Sequence, residues 1–134
     1  MATPQRQDLK ARSFQLAVMV FRLYPKLAAT SQAHAWIARQ LLKAVSSVAA
    51  QLEEGTAPSS RRDMAEKYAI GLREAREANL WARLGATDPR WSTELAPVID
   101  ETREFVAMLT TSVKKLRRPQ EQPRQAAEPL TSDL

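Results

Sequence analysis

The chain has 134 residues, 44% of them hydrophobic and 26% charged, with a net charge of +5 and no cysteine. That is length for one modest core and not two, and the apolar content excludes wholesale disorder. The missing cysteines exclude disulfides, thiolate zinc sites and cysteine nucleophiles.

Only three glycines occur, and Ala, Leu, Arg, Glu and Gln abound, so the expected class is all-α. The first helix is expected over about 8–28, with Leu9, Leu16, Val20, Leu23 and Leu27 on one side, joined by Phe14, Ala17, Phe21 and Tyr24. Pro25 lacks a donor and crowds the preceding turn, which predicts an end or a bend at Tyr24. A second helix over about 32–54 places Ile37, Leu41, Val45, Val48 and Leu52 at core spacing. Gly55 is expected to close it in a left-handed conformation. Beside that stripe runs a polar row, Lys43, Ser47, Gln51 and Glu54, interleaved with Ala44, Ser46, Ala49 and Ala50. Small side chains admit another helix and polar ones fix its register, so Ser47, Gln51 and Glu54 are candidate oligomer-interface residues.

Ser60 and Asp63 form a version of the capping box ahead of a third helix. Its inward residues are Met64, Tyr68, Leu72, Ala75, Ala78 and Trp81, and Gly85 closes it. Gly71, in mid-helix, suggests the close approach of a neighbouring backbone, since glycine there costs about 1 kcal/mol relative to alanine. The fourth helix, about 93–117, presents Leu95, Val98, Ile99, Thr102, Phe105, Val106, Leu109, Val113 and Leu116, with Pro97 acceptable only in the first turn. From Pro119 onward the chain is proline-rich and aperiodic, which predicts a disordered tail over 119–134 after a domain over 1–118. Four helices of similar length with short connections predict an antiparallel up-down-up-down four-helix bundle.

Catalytic chemistry is poorly supplied. His34 is the one histidine, and with no carboxylate or hydroxyl at helical spacing it reads as a surface residue. No Glu-x-x-His pair or phosphate-binding glycine loop occurs. Glu74 and Glu77, flanked by Arg73 and Arg76, read as a charged helix surface with local ion pairs. No enzyme, metal or cofactor is expected. "MATPQRQDLKARS" lacks a signal-peptide core and no run approaches membrane-spanning length, so a cytoplasmic location is expected.

The charge is uneven. Residues 1–52 hold seven Lys or Arg against one acid, 53–113 hold eight against eleven, and 114–118 add four cations. Arg12, Arg22 and Lys26 on helix one, Arg39 and Lys43 on helix two, and Lys114, Lys115, Arg117 and Arg118 at the end of helix four are candidate nucleic-acid-binding residues. Such binding would be backbone-directed and salt-sensitive. Cations at a helix C-terminus also complement its dipole, and the same basic surface could meet an acidic polypeptide, leaving a protein-interaction scaffold as the alternative.

The run "RQLLKAVSSVAAQLEEG" followed by "SSRRDMAEKYAIGLREAREANLWARL" resembles the bacterial four-helix-bundle family first noticed inside intervening sequences of 23S ribosomal RNA genes. That family includes Avd, the accessory protein of diversity-generating retroelements. The resemblance rests on Gln40, Lys43, Ala44, Ser47, Val48, Glu54, Gly55, Ser60, Asp63, Lys67, Ile70, Ala75, Glu77, Trp81 and Leu84, and covers 39–84 well. Gln51 stands where the family usually has Asn, and Arg73 and Glu74 replace a small Gly-Ser pair of one branch. The resemblance implies a homopentamer without known catalytic activity. For the accessory branch it also implies binding of nucleic acid and of a reverse transcriptase.

Overall fold

The computed structural model describes residues 4–55, 57 and 60–119, with side chains from residue 9 onward. Four helices follow one another: α1, Pro4–Thr30; α2, Gln32–Gly55; α3, Arg61–Gly85; and α4, Ser92–Arg117. They form the antiparallel bundle that the periodicity predicts. At one end Lys10 pairs with Glu53, Lys67 with Glu54, and Arg61 reaches the carbonyl of Leu116. At the other end His34 meets Asp88, and the Trp91 indole N–H donates to Thr30. None of the helices described is long and apolar enough to cross a membrane. The tail expected beyond Pro119 lies outside the described residues.

Heptad-like spacing builds the core. Leu9, Leu16, Val20 and Leu27 of α1 meet Leu41, Val45, Val48 and Leu52 of α2, Tyr68 of α3, and Leu95, Val98, Phe105 and Leu109 of α4, all buried in one cluster. Each large side chain so placed contributes about 1.5–3 kcal/mol. On α3 the fully buried positions Ala75, Ala78 and Ala82 are small, which lets α2 and α4 come close on either side. Adjacent helices therefore pack along their lengths from α1 to α4, whereas α1 and α4 touch sparsely. A polar clasp marks that last edge: the Arg12 guanidinium donates to both carboxylate oxygens of Glu101, at 3.0 and 2.8 Å, and to Glu104 at 3.1 Å, while lying 5.7 Å from the centre of the Phe105 ring.

Several local expectations change in three dimensions. Phe14 and Phe21 are 61% and 67% exposed, because the apolar arc of α1 is wider than the one face the bundle covers. α1 does not stop at Tyr24. It runs through Pro25 to Thr30, since burial of Leu27 and the Thr30 hydroxyl bond to the Lys26 carbonyl offset the one backbone bond lost at an exposed proline. Pro97 sits at the sixth position of α4 rather than in its first turn, again on the solvent side. Ser60 caps α3 as expected, its hydroxyl accepting the Asp63 amide at 3.0 Å.

The glycines act through space rather than through left-handed backbone. None has a positive φ. A Cβ on Gly55 would lie 2.7 Å from the Tyr68 ring, and one on Gly85 would lie 2.9 Å from Leu95. Gly71 differs: an added methyl would meet Gln51 and Leu109 at an ordinary 3.7 Å, so no neighbouring backbone forbids it. Gly71→Ala is therefore expected to raise unfolding free energy by about 0.5–1 kcal/mol, measured as a higher urea midpoint with unchanged slope.

Candidate functional site

The polar row of α2 faces the groove it forms with α3. Lys67–Glu54 at 3.1 Å, the Gly71–Gln51 contact and the Trp36–Trp81 ring pair set the register of the two helices. That register places Ser47 level with Glu74. Gln40, Ser47 and Gln51 are half-buried, as are Ile70, Glu74 and Trp81 opposite, while Lys43 and Glu54 are exposed. Of the three interface residues expected from sequence, Glu54 already has its partner in Lys67. Gln51 does not: its Oε1 is buried and finds no hydrogen-bond partner among the described residues, and the same holds for Nε1 of Trp81. Glu74 makes no ion pair or hydrogen bond among them either.

An unpaired buried polar atom costs about 1–3 kcal/mol, and two border this one groove. Trp36 stands at its rim, 45% exposed and edge-on to Trp81, with ring centres 4.8 Å apart at 84°. Sequence reasoning missed this aromatic pair. Its signal is a tryptophan at the foot of the polar row on α2 and a second one near the end of α3, whose spacing alone points to the core.

The nine candidate cations do not converge on one surface. Arg12 is drawn into the α1–α4 clasp with Glu101 and Glu104, so its charge is compensated inside the fold. Arg22 and Lys26 are exposed on α1, and Arg39 and Lys43 on the outer face of α2. Lys114, Lys115, Arg117 and Arg118 lie at the far end of α4, where Arg117 and Arg118 face Arg61 and Arg62 across a cleft of about 490 Å³ that also holds Glu66. Arg61 donates to the carbonyls of Lys115 and Leu116 at 2.7 and 3.1 Å, supplying partners that a helix C-terminus otherwise lacks. The local pairing expected for Arg73 and Arg76 with Glu74 and Glu77 is absent among the described residues.

His34 is not a lone surface histidine. The Ser31 hydroxyl, three residues before it, lies 2.7 Å from Nδ1 and accepts the His34 amide at 3.1 Å, while Nε2 lies 2.8 Å from the Asp88 carboxylate. With the hydroxyl donating to Nδ1, the network assigns the proton to Nε2. Both partners were overlooked: Ser31 serves as the cap of α2, and Asp88 arrives from the α3–α4 turn, 54 residues away. The chain Ser31–His34–Asp88 pins two turns together at one end of the bundle.

Hydrogen bonds from the Arg90 side chain and backbone, with a further one from His34, hold the Asp88 carboxyl well below the usual carboxylate range. A depressed folded-state value stabilises the fold above the unfolded value of about 3.9, and this contribution is lost as pH falls toward the folded value. Asp88→Asn is expected to lower the melting temperature at pH 6 and to flatten the stability loss below about pH 4, as read by thermal melts across that range. Among the described residues no group of three His, Asp or Glu side chains could hold a metal ion.

A family model described as 23S rRNA-intervening sequence protein matches residues 5–111. Among solved structures, the chain is similar to the 1.70 Å crystal structure of a protein with unknown function from the S23 ribosomal protein family of Bacteroides thetaiotaomicron VPI-5482. The two share 26% identity and a TM-score of 0.69, over 79% of this chain and 98% of that one. No curated protein matches.

Proposed function

The chain belongs to the 23S rRNA-intervening sequence protein family, and from that premise we propose that it is a non-enzymatic, homo-oligomeric adapter. Copies join through the α2–α3 face, and the assembly holds nucleic acid by its pooled positive charge. The observation that carries this reading is the α2–α3 groove, where Gln51 and Trp81 keep buried polar atoms without partners among the described residues, beside the half-exposed Trp36. A second copy lying on that face would cover the ring and would offer the Gln51 amide a partner once that side chain turns outward. The resemblance to the retroelement accessory branch extends the proposal to a pentamer in a cytoplasmic setting, with a reverse transcriptase as the protein partner.

A pentamer of +5 subunits concentrates a weak monomeric field into one that attracts phosphate backbones at long range. Light scattering and sedimentation at micromolar concentration test the assembly. Masses at a multiple of 15.0 kDa are expected, and a stable lone subunit would remove the reading. Gln51→Leu is expected to shift the mass distribution more than Arg124→Ala. Fluorescence anisotropy with labelled oligonucleotides separates the nucleic-acid adapter from a scaffold that binds protein alone.

A further inference from the structure

We infer that the outward groove between α3 and α4 is the surface that holds the nucleic acid, and that it takes a double helix by its phosphate backbones. This rests on the adapter reading above and adds to it a location and a substrate form. The two helices sort their charges by side. On α3, Asn79 marks the side toward α4, donating to the Ile99 carbonyl and the Thr102 hydroxyl, and Trp81 and Lys67 mark the side toward α2. At 100° per residue, Arg61, Arg62, Arg76 and Arg83 fall on the exposed arc nearer α4, whereas Asp63, Glu74 and Glu77 fall nearer α2 and Glu66 lies between, in the cleft with Arg61, Arg62 and Arg117.

α4 repeats the division. Arg103, Lys114 and Arg117 share the side of Ile99, toward α3, while Glu101 and Glu104 share the side that clasps Arg12. The groove is thus lined by cations from both walls, and the acids that reach its edge, Glu66 and Asp100, pair there with Arg62 at 4.0 Å and with Arg103 at 3.6 Å.

Two of these cations are held in place. Arg83 Nε donates to the Asn79 amide oxygen at 2.8 Å, and Arg61 is fixed on the end of α4. Ordering in advance reduces the entropy lost on binding. Arg61 and Arg83 are 22 residues apart, about 33 Å along a helix, close to the ~34 Å of one duplex turn. Among the described residues no aromatic side chain is exposed along this groove; the exposed ones are Phe14, Phe21 and Trp36 on α1 and α2. Single strands are gripped largely by stacking on aromatics, so the arrangement fits paired strands. A protein partner would call for an apolar centre, and here Leu80 alone supplies a large exposed apolar side chain. The groove lies on the opposite side of α3 from the Trp36–Trp81 face, so both surfaces can be occupied at once.

The test is anisotropy with a labelled DNA duplex of about 24 base pairs, roughly two turns, an RNA duplex of equal length and the matching single strand. Three proteins are compared: the parent chain, Arg76→Gln/Arg103→Gln/Lys114→Gln, and a competing set Arg22→Gln/Lys26→Gln/Arg39→Gln. Circular dichroism and sedimentation establish that each keeps the parent's fold and mass. The groove variant is expected to lose at least about 30-fold in duplex affinity at about 50 mM salt and to flatten the log–log salt slope by about 2.7. The competing set is expected to lose at least tenfold less than that (~3-fold). The reverse ranking, or tighter binding of the single strand than of either duplex, overturns this assignment while leaving the adapter reading intact. No binding by the parent chain at micromolar concentration removes both.

Discussion

With copies joined through the α2–α3 face as proposed, Trp36→Asp is expected to leave a 15.0 kDa monomer at concentrations where the parent chain associates. In the single subunit Trp36 is 45% exposed, so the substitution leaves the core untouched and the helical spectrum unchanged. In an assembly closed over the α2–α3 face the same ring sits at a desolvated centre. Tryptophans in such positions contribute about 2–4 kcal/mol on truncation, and a carboxylate there adds the burden of a charge taken out of water. A loss of association exceeding about 30-fold is the minimum that follows from those magnitudes. Sedimentation velocity reads it directly. An unaltered mass for Trp36→Asp, together with an unaltered mass for Gln51→Leu, would place the subunit contact on another face.

Arg12→Met is expected to destabilise the subunit by about 2 kcal/mol. The α1–α4 edge is the sparse one, and Arg12 is its clasp, with a two-point bond to Glu101, a third contact to Glu104 and a face-on approach to Phe105. A guanidinium can form that fork and a lysine ammonium cannot. The Arg12 and Glu101 side chains are 29% and 25% exposed, so removing the cation leaves a half-buried carboxylate without its counter-charge. Complete burial would make the loss about 3–5 kcal/mol; partial access of water brings it down. Urea unfolding at one fixed protein concentration checks it, because association would otherwise shift the midpoint by mass action. Arg12→Met combined with Glu101→Met is expected to be less unstable than the sum of the two single changes, since the partner is no longer stranded. Strict additivity would show that the clasp is incidental.

These two residues also show where reading along the chain falls short. Arg12 is one more cation on a basic helix when seen locally, and its acids lie 89 and 92 residues away. Its diversion from the surface follows from helix rotation, which no local spacing encodes. His34 shows both cases: Ser31, three residues before it, is within reach of helical spacing, whereas Asp88 is 54 residues away and is not. Phe14 and Phe21 were counted inward because an apolar arc on α1 continues past the part that three other helices can cover.

What the order of residues determines by itself is periodic and near-neighbour: four amphipathic helices, the Ser60 cap, the core stripe of each helix and the polar row of α2. These depend on 3.6-residue geometry and on contacts within a turn or two, so they survive being read in one dimension. What only the tertiary structure decides is how each helix is rotated about its axis, and that rotation fixes which charges meet. It sends Arg12 to Glu101, turns Arg76 and Arg83 of α3 away from Glu74 and Glu77, sets Trp36 against Trp81 and leaves the Gln51 amide oxygen without a partner among the described residues. The physical reason is that side-chain electrostatics and hydrogen bonding act over a few ångströms of space, while the partners are separated by tens of residues of chain.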